Sequence, residues 1–189
     1  MDQDVLRWVD AAQRGDQAAF GELVKAYHGR VYSLAYGMVS NTADAEDLAQ
    51  QTWVRVWQKL GTFKRDAQFY TWVYRIASNL CLDHLRRRRR AQEEPLDEIV
   101  EPEPAPDVVS APSAAPTPDA VLQQRETREQ FERALEILSP EHRLTMRLRE
   151  VDGMAYEEIA RVMECRVGTV MSRLYYARKK LVEHLRGAR

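Results

Sequence analysis

Residues Ser139 to Leu181 read SPEHRLTMRLREVDGMAYEEIARVMECRVGTVMSRLYYARKKL, and the punctuation of this stretch decides the fold class. Ser139 is a good N-cap and Pro140 suits the first helical position, where a missing N–H loses no bond, so a helix is expected from there to about Val151. Gly153 ends it. A short helix follows from about Ala155 to Met163, with Ile159, Ala160 and Met163 spaced to face a core while Glu157, Glu158 and Arg161 stay in water. After a turn over Glu164 to Val167, Thr169 opens a third helix whose apolar line is Val170, Leu174, Ala177 and Leu181. Thr169, Ser172, Arg173, Tyr176 and Lys180 then lie on other faces. A short helix, a tight turn and a longer polar-faced helix form the shape that docks in a DNA major groove.

Charge supports that reading. From Arg161 to the end there are eight Lys and Arg residues against Glu164 and Glu183, while the whole chain is formally −1. A local excess of this kind suits phosphates, whose neutralisation releases condensed counterions and gives an affinity that falls with salt. The candidate duplex-contacting residues are Arg166, Thr169, Ser172, Arg173, Tyr176 and Arg178.

Working outward, residues 91–124 contain no Lys or Arg but hold seven of the eight prolines and eight acids, from Glu93 to Asp119. Such composition cannot bury enough apolar surface to fold and reads as an acidic Pro/Ala-rich linker. It would average about 30 Å between ends if flexible and reach on the order of 100 Å as polyproline II. The chain therefore divides into an N-terminal helical domain over 1–90, the linker over 91–124 and a C-terminal helix-turn-helix domain over 125–189. The expected fold class is all-α.

In the N-terminal domain, Phe20, Leu23, Val24, Tyr27, Val31, Leu34, Ala35 and Met38 recur at three and four, a long amphipathic helix starting after Gly15 and Asp16. Asn41 or Thr42 caps the next helix. Its first turn holds Asp44, Glu46 and Asp47, favoured by the helix dipole, and Leu48, Ala49, Thr52, Val56 and Leu60 continue inward until Gly61. Its other side exposes Asp47, Gln50, Gln51 and Arg55, a polar strip able to dock a partner. Beyond the connector Thr62 to Gln68, a third helix runs from Phe69 into the arginine run Arg86 to Arg90. Phe63, Lys64, Arg65, Tyr70, Trp72 and Arg75 gather around that connector, a mixture suited to single-stranded DNA: stacking a base on an aromatic ring contributes about 1–3 kcal/mol while cations track the backbone. Trp53, Trp57 and Trp72 are expected to be at least partly core.

Length and composition agree with a globular chain of one or two small domains: 189 residues, 44% hydrophobic and 30% charged. No segment reads as a membrane span, and Met1 to Gly15 carries acids and a Trp where a secretion signal would have a basic region and an apolar core, so a cytoplasmic protein is expected. Cys81 and Cys165 stand alone and the four histidines are scattered, so no metal, cofactor or catalytic constellation is expected. One rival is a helix-turn-helix regulator acting as a dimer on duplex DNA. The other, a helical nucleic-acid enzyme, lacks clustered carboxylates or a Cys/His site.

Three runs, DAEDLAQQTWVRVW (Asp44 to Trp57), FYTWVYRIASNLCLDHLR (Phe69 to Arg86) and YEEIARVMECRVGTVMSRLYYARKKL (Tyr156 to Leu181), together resemble an extracytoplasmic-function (ECF) sigma factor of bacterial RNA polymerase, in the right order. The resemblance implies a non-catalytic subunit that binds core polymerase and promoter DNA and assists strand opening. It further implies that the Asp47 to Gln51 strip meets the largest polymerase subunit and that Phe63 to Asn79 melts and reads the minus-ten element, with a flipped base held near Asn79. The C-terminal recognition helix would read the minus-thirty-five element, and an anti-sigma factor is an implied partner. Two positions depart from the family pattern: Gln51 stands where Glu is common, and Met171 where Lys or Arg is common.

Overall fold

The computed structural model describes residues 3–93 and 134–187, and its described residues form α-helices, short turns and no strand. The chain divides into two compact units. The first holds α1 (Gln3–Gln13), α2 (Gln17–Val39), α3 (Thr42–Lys59), a single 3₁₀ turn (Leu60–Thr62) and α4 (Phe69–Glu93). The helix-turn-helix stretch contains α5 (Pro140–Glu150), α6 (Tyr156–Val162) and α7 (Val167–Gly187). The all-α class expected from the periodicities is the class observed. Residues 94–124 of the acidic linker lie outside the described residues.

Local chemistry explains the helix boundaries of the first unit. Asp16 caps α2, its carboxylate accepting from the N–H groups of Ala18 (2.9 Å) and Ala19 (3.1 Å), and Gly15 before it has φ +93°, which only glycine adopts without strain. Asn41 caps α3 by accepting from the Asp44 N–H at 2.9 Å. The apolar faces then close on one another: Leu23, Val31, Leu34 and Met38 of α2, Leu48, Ala49 and Val56 of α3, and Phe69, Val73 and Ala77 of α4 are all buried. Each such large side chain removed from water contributes about 1.5–3 kcal/mol, so packing rather than helix propensity holds the bundle.

Helix α1 is an element that the reading of composition passed over. Val5, Val9 and Ala12 are its buried residues, at a four-three spacing, and it packs on α2. It also reaches the connector between α3 and α4. The Gln13 side-chain amide donates to the carbonyls of Leu60 (2.9 Å) and Phe63 (3.1 Å), and Asp10 pairs with Arg65. Arg65 itself has φ +60°, a left-handed conformation uncommon for a residue with a Cβ.

In the helix-turn-helix, Ser139 adopts an extended conformation and caps α5, while Gly153 at φ +67° turns the chain after it. Arg149 bridges that turn by donating to the Met154 carbonyl at 2.8 Å, with its guanidinium 5.1 Å from the centre of the Tyr156 ring. The Ala155 N–H donates to the Glu158 carboxylate at 3.0 Å, so an acid three residues into α6 supplies the reciprocal half of a capping box. Helix α7 packs mainly on α5 through buried Val170, Leu174, Ala177 and Leu181. It begins two residues before Thr169, because the Thr169 and Val170 N–H groups already bond the Arg166 carbonyl.

Gln13→Met keeps the length of the side chain but removes both donors to the connector. It is expected to cost about 1 kcal/mol in urea unfolding and to speed amide exchange at Thr62 to Lys64.

Candidate nucleic-acid and polymerase interfaces

Three surfaces carry the residues singled out in the sequence. On α3, Asp47, Gln50, Gln51 and Arg55 are all exposed. Val54 lies among them at helical spacing and is 57% exposed, although it is a large aliphatic side chain. Such a side chain adds apolar area to a strip that is otherwise polar. Val54 falls off the apolar repeat of Leu48, Ala49, Thr52 and Val56, so periodicity alone gives no signal of it.

The second surface is the connector and the start of α4. Lys64, Arg65 and Asn79 are exposed, and Tyr70 and Arg75 are half-buried. Phe63 differs: its ring is 4% exposed, 5.6 Å from the Phe69 ring and 5.2 Å from the Trp72 ring between centroids. The aromatic pairing that the sequence suggested as a base-stacking platform is instead spent on the core at this position, and Phe63 shapes the connector from beneath. Trp53 and Trp72 are buried as expected, whereas Trp57 is partly exposed with its ring 4.8 Å from that of Phe20. Arg55 and Lys59 of α3 line one groove with Trp72, Arg75, Asn79 and Asp83 of α4. Arg55 thus stands between the first two surfaces, and Lys59 adds a cation that the sequence reading did not select.

The third surface is α7. Arg166, Ser172 and Tyr176 are exposed and Thr169 and Arg173 half-buried, and from Thr169 onward these positions fall on one helical face, which Lys180 extends. Arg178 is elsewhere. It lies on the side toward Tyr156 and its guanidinium is 2.7 Å from the Glu150 carboxylate, a bond that raises its pKa above the ordinary value. The charge count could not distinguish the faces of one helix, and the pairing with α5 is a tertiary fact.

His142, one turn into α5, receives a 2.7 Å contact between its Nδ1 and the Ser139 hydroxyl. Burial lowers its pKa below 6.5, and the nearby Arg173 and Lys180 lower it further against the opposing effect of Glu141. Among the described residues no group of three or more His, Cys, Asp or Glu could hold a metal ion, and no helix is long and apolar enough to cross a membrane.

An exposed basic helix closing a helix-turn-helix and a cationic connector in a separate helical unit are the features of a DNA-binding protein of two helical modules. Residues 23–91 match Sigma-70 region 2, and residues 128–181 match Sigma-70, region 4. The chain is 35% identical over 175 residues to the RNA polymerase sigma-H factor of Pseudomonas aeruginosa, spanning 92% of this chain and 89% of that one. It is 35% identical over 173 residues to the ECF RNA polymerase sigma-E factor of Escherichia coli K12, spanning 92% and 90%. Among solved structures it is similar to CnrH in complex with the cytosolic domain of CnrY, with a TM-score of 0.69 and 26% identity over 98% of this chain and 99% of that one. It is also similar to the sigma factor RpoE in complex with the anti-sigma factor NepR from Bartonella quintana, with a TM-score of 0.64 and 26% identity over 90% and 98%. The chain belongs to the extracytoplasmic-function family of RNA polymerase sigma factors. It is a promoter-recognising subunit of RNA polymerase. The reading as a dimeric regulator is not favoured, because region 2 occupies the part of the chain where that reading needs a sensor or dimerisation domain. Sigma factors as a class are non-enzymatic initiation factors.

The lowered pKa of His142 has a definite sign. Its folded form sheds the proton more readily than its unfolded form, so stability is full above about pH 6.5 and falls as pH drops from there through the folded pKa. His142→Gln is expected to flatten that acid limb of the thermal-unfolding profile, and the imidazole resonance in the parent protein to titrate below 6.5.

Proposed function

We propose that the three surfaces divide the work of initiation. The strip Asp47, Gln50, Gln51 and Arg55, with Val54 at its centre, docks on core polymerase; it is supported by the exposure of an aliphatic side chain among polar neighbours. Lys64, Arg65, Tyr70, Arg75 and Asn79 capture the minus-ten element as a single strand. Tyr70 offers a ring for stacking, Arg75 and the connector cations follow the phosphates, and Asn79 reads a flipped base whose unstacking costs a few kcal/mol. Phe63 takes part by packing beneath the connector. Arg166, Thr169, Ser172, Arg173 and Tyr176 read the minus-thirty-five element in the major groove, and Arg178 positions α7 through Glu150.

The domain limits that go with this division are 1–90, a linker over 91–124, and 125–189. The mechanism is binding coupled to strand separation: the duplex anchor and the polymerase fix the position, and the free energy of strand capture drives opening. The protein carries no catalytic group of its own, acts in the cytoplasm, and is held in check by an anti-sigma factor, a reading supported by the partners named for the two similar structures. Gln51 replaces a common charged contact to polymerase by a hydrogen bond. Met171 lies off the Thr169–Tyr176 face, so its lack of charge leaves duplex reading to Arg166 and Arg173.

The observation that carries the proposal is the exposed cationic connector, held by α1, with the half-buried Tyr70 following it on α4 and a groove beside it that includes Arg75 and Asn79. Reconstitution with core polymerase, followed by sequencing of the transcript ends, tests it: a shared pair of upstream elements is expected, and start sites unchanged from core polymerase alone refute it. Within that system Tyr70→Ala is expected to weaken binding of the minus-ten single strand roughly 5- to 150-fold. Val54→Asp is expected to weaken core binding about tenfold without altering the thermal unfolding of the free protein.

A further inference from the structure

Helix α7 holds large apolar side chains in water that the surfaces described above leave unused. Met171 and Tyr175 are each more than half exposed, and Val182 follows them at 46%. With Tyr156 of α6 they line one groove along the helix, which Lys179 and Arg186 also line. A single exposed apolar residue is ordinary, whereas these recur at four- and seven-residue spacing and form a stripe.

The buried line Val170, Leu174, Ala177 and Leu181 fixes how α7 is turned. At about 100° per residue, the direction opposite that line falls closest to Ser172 and Lys179. Thr169 and Tyr176 flank that direction on one side, Met171 and Tyr175 on the other. A helix seated in a major groove turns its outward side to the base edges, so both flanks meet the groove and not the polar one alone. The flanks also touch: the Tyr175 and Tyr176 rings pack edge to face with 5.3 Å between centroids. The first part of the stripe is therefore continuous with the duplex-reading row. Met171 and Tyr175 lie within about the first three turns of α7, the part of a recognition helix that reaches bases. Val182 is roughly 16 Å beyond Met171 along the axis and outside that part.

The chemistry of the side chains selects the ligand. Base edges in the major groove are hydrogen-bond donors and acceptors with one exception, the C5-methyl group of thymine. Met171 has no donor and only a weakly accepting thioether, so it gains little from the polar edges of guanine, adenine or cytosine, while its flexible, polarisable end fits a methyl group. A Lys or Arg at this position would favour guanine or a phosphate instead.

We propose that Met171, with the Tyr175 ring beside it, reads the C5-methyl group of a thymine in the minus-thirty-five duplex. The inference rests on the reading of α7 as the duplex-reading helix. Charged contacts stay with Arg166 and Arg173, and the stripe adds an apolar one. Because 5-methylcytosine carries its methyl group at the same ring position, it substitutes in part for thymine.

The test uses holoenzyme reconstituted from the full chain and core polymerase. Its probes are promoter duplexes in which each minus-thirty-five thymine is replaced in turn by deoxyuridine, a change that removes the methyl group alone. Deoxyuridine at one position, or at two neighbouring ones, is expected to weaken binding about fourfold, the effect of one buried methyl group. At the same position 5-methylcytosine is expected to bind about fourfold more tightly than cytosine. Met171→Ala binds the thymine and deoxyuridine duplexes alike, Met171→Leu keeps the difference, and both variants match the parent in thermal unfolding and in affinity for core polymerase. Insensitivity to the methyl group at every position overturns the proposal. So does a methyl effect that survives in Met171→Ala, which assigns it to other side chains. Loss of core binding by Met171→Ala overturns it as well and makes the stripe a polymerase contact. A duplex with the whole element scrambled separates the two readings. If the parent holoenzyme binds it as well as the native duplex, α7 does not read sequence and both readings fall; if the parent distinguishes the two but ignores the methyl group, this inference alone falls.

Discussion

A loop between two helices must stay open and fixed while presenting cations to the solvent, and the hold of α1 on that loop is the constraint on which the first unit depends. Gln13 spends both hydrogens of one amide nitrogen on two carbonyls of the connector, and Asp10 neutralises the cation at its left-handed residue. Alongside those bonds, the Phe63 ring, wedged between Phe69 and Trp72, and the bond from the Trp72 N–H to the Gln68 carbonyl at 3.2 Å hold the loop against α4. The same contact makes an apparently peripheral helix part of the surface proposed to capture DNA.

The helix-turn-helix solves a different problem, since α7 must be rigid and still give one face to a ligand. It is rigid because Val170, Leu174, Ala177 and Leu181 bury one side and because Arg178 is tied to Glu150. A third side remains, carrying Met171 at 53% and Tyr175 at 64% exposure with Val182 further along. This strip is distinct in direction from the row of Thr169, Ser172 and Tyr176. Its apolar character explains why Met171 occupies its position without disturbing the polar face.

Much of this was legible in the residues. Asp16, Asn41 and Ser139 act as caps because each places a short polar side chain just before an apolar repeat, a signal that is local in sequence and local in space. The apolar repeats of α2, α3, α4 and α7 translate directly into buried faces for the same reason. What escaped was tertiary. The four-three spacing of Val5, Val9 and Ala12 was present but short, and nothing in sequence joins Gln13 to residues some fifty positions away. Phe63 looked like Tyr70 in composition, and only packing separates a ring under the loop from one at its surface. Arg178 looked like Arg173, and only the position of Glu150 tells them apart.

All four tryptophans, Trp8, Trp53, Trp57 and Trp72, belong to the helices of the first unit, while α6 and α7 contribute only tyrosines, Tyr156, Tyr175 and Tyr176. Indole emission is therefore blind to the helix-turn-helix and reports the four-helix part alone. Loss of order in the first unit can thus be watched through its tryptophans without labelling, whereas tyrosine emission is shared, because Tyr27, Tyr32, Tyr36, Tyr70 and Tyr74 also belong to that unit.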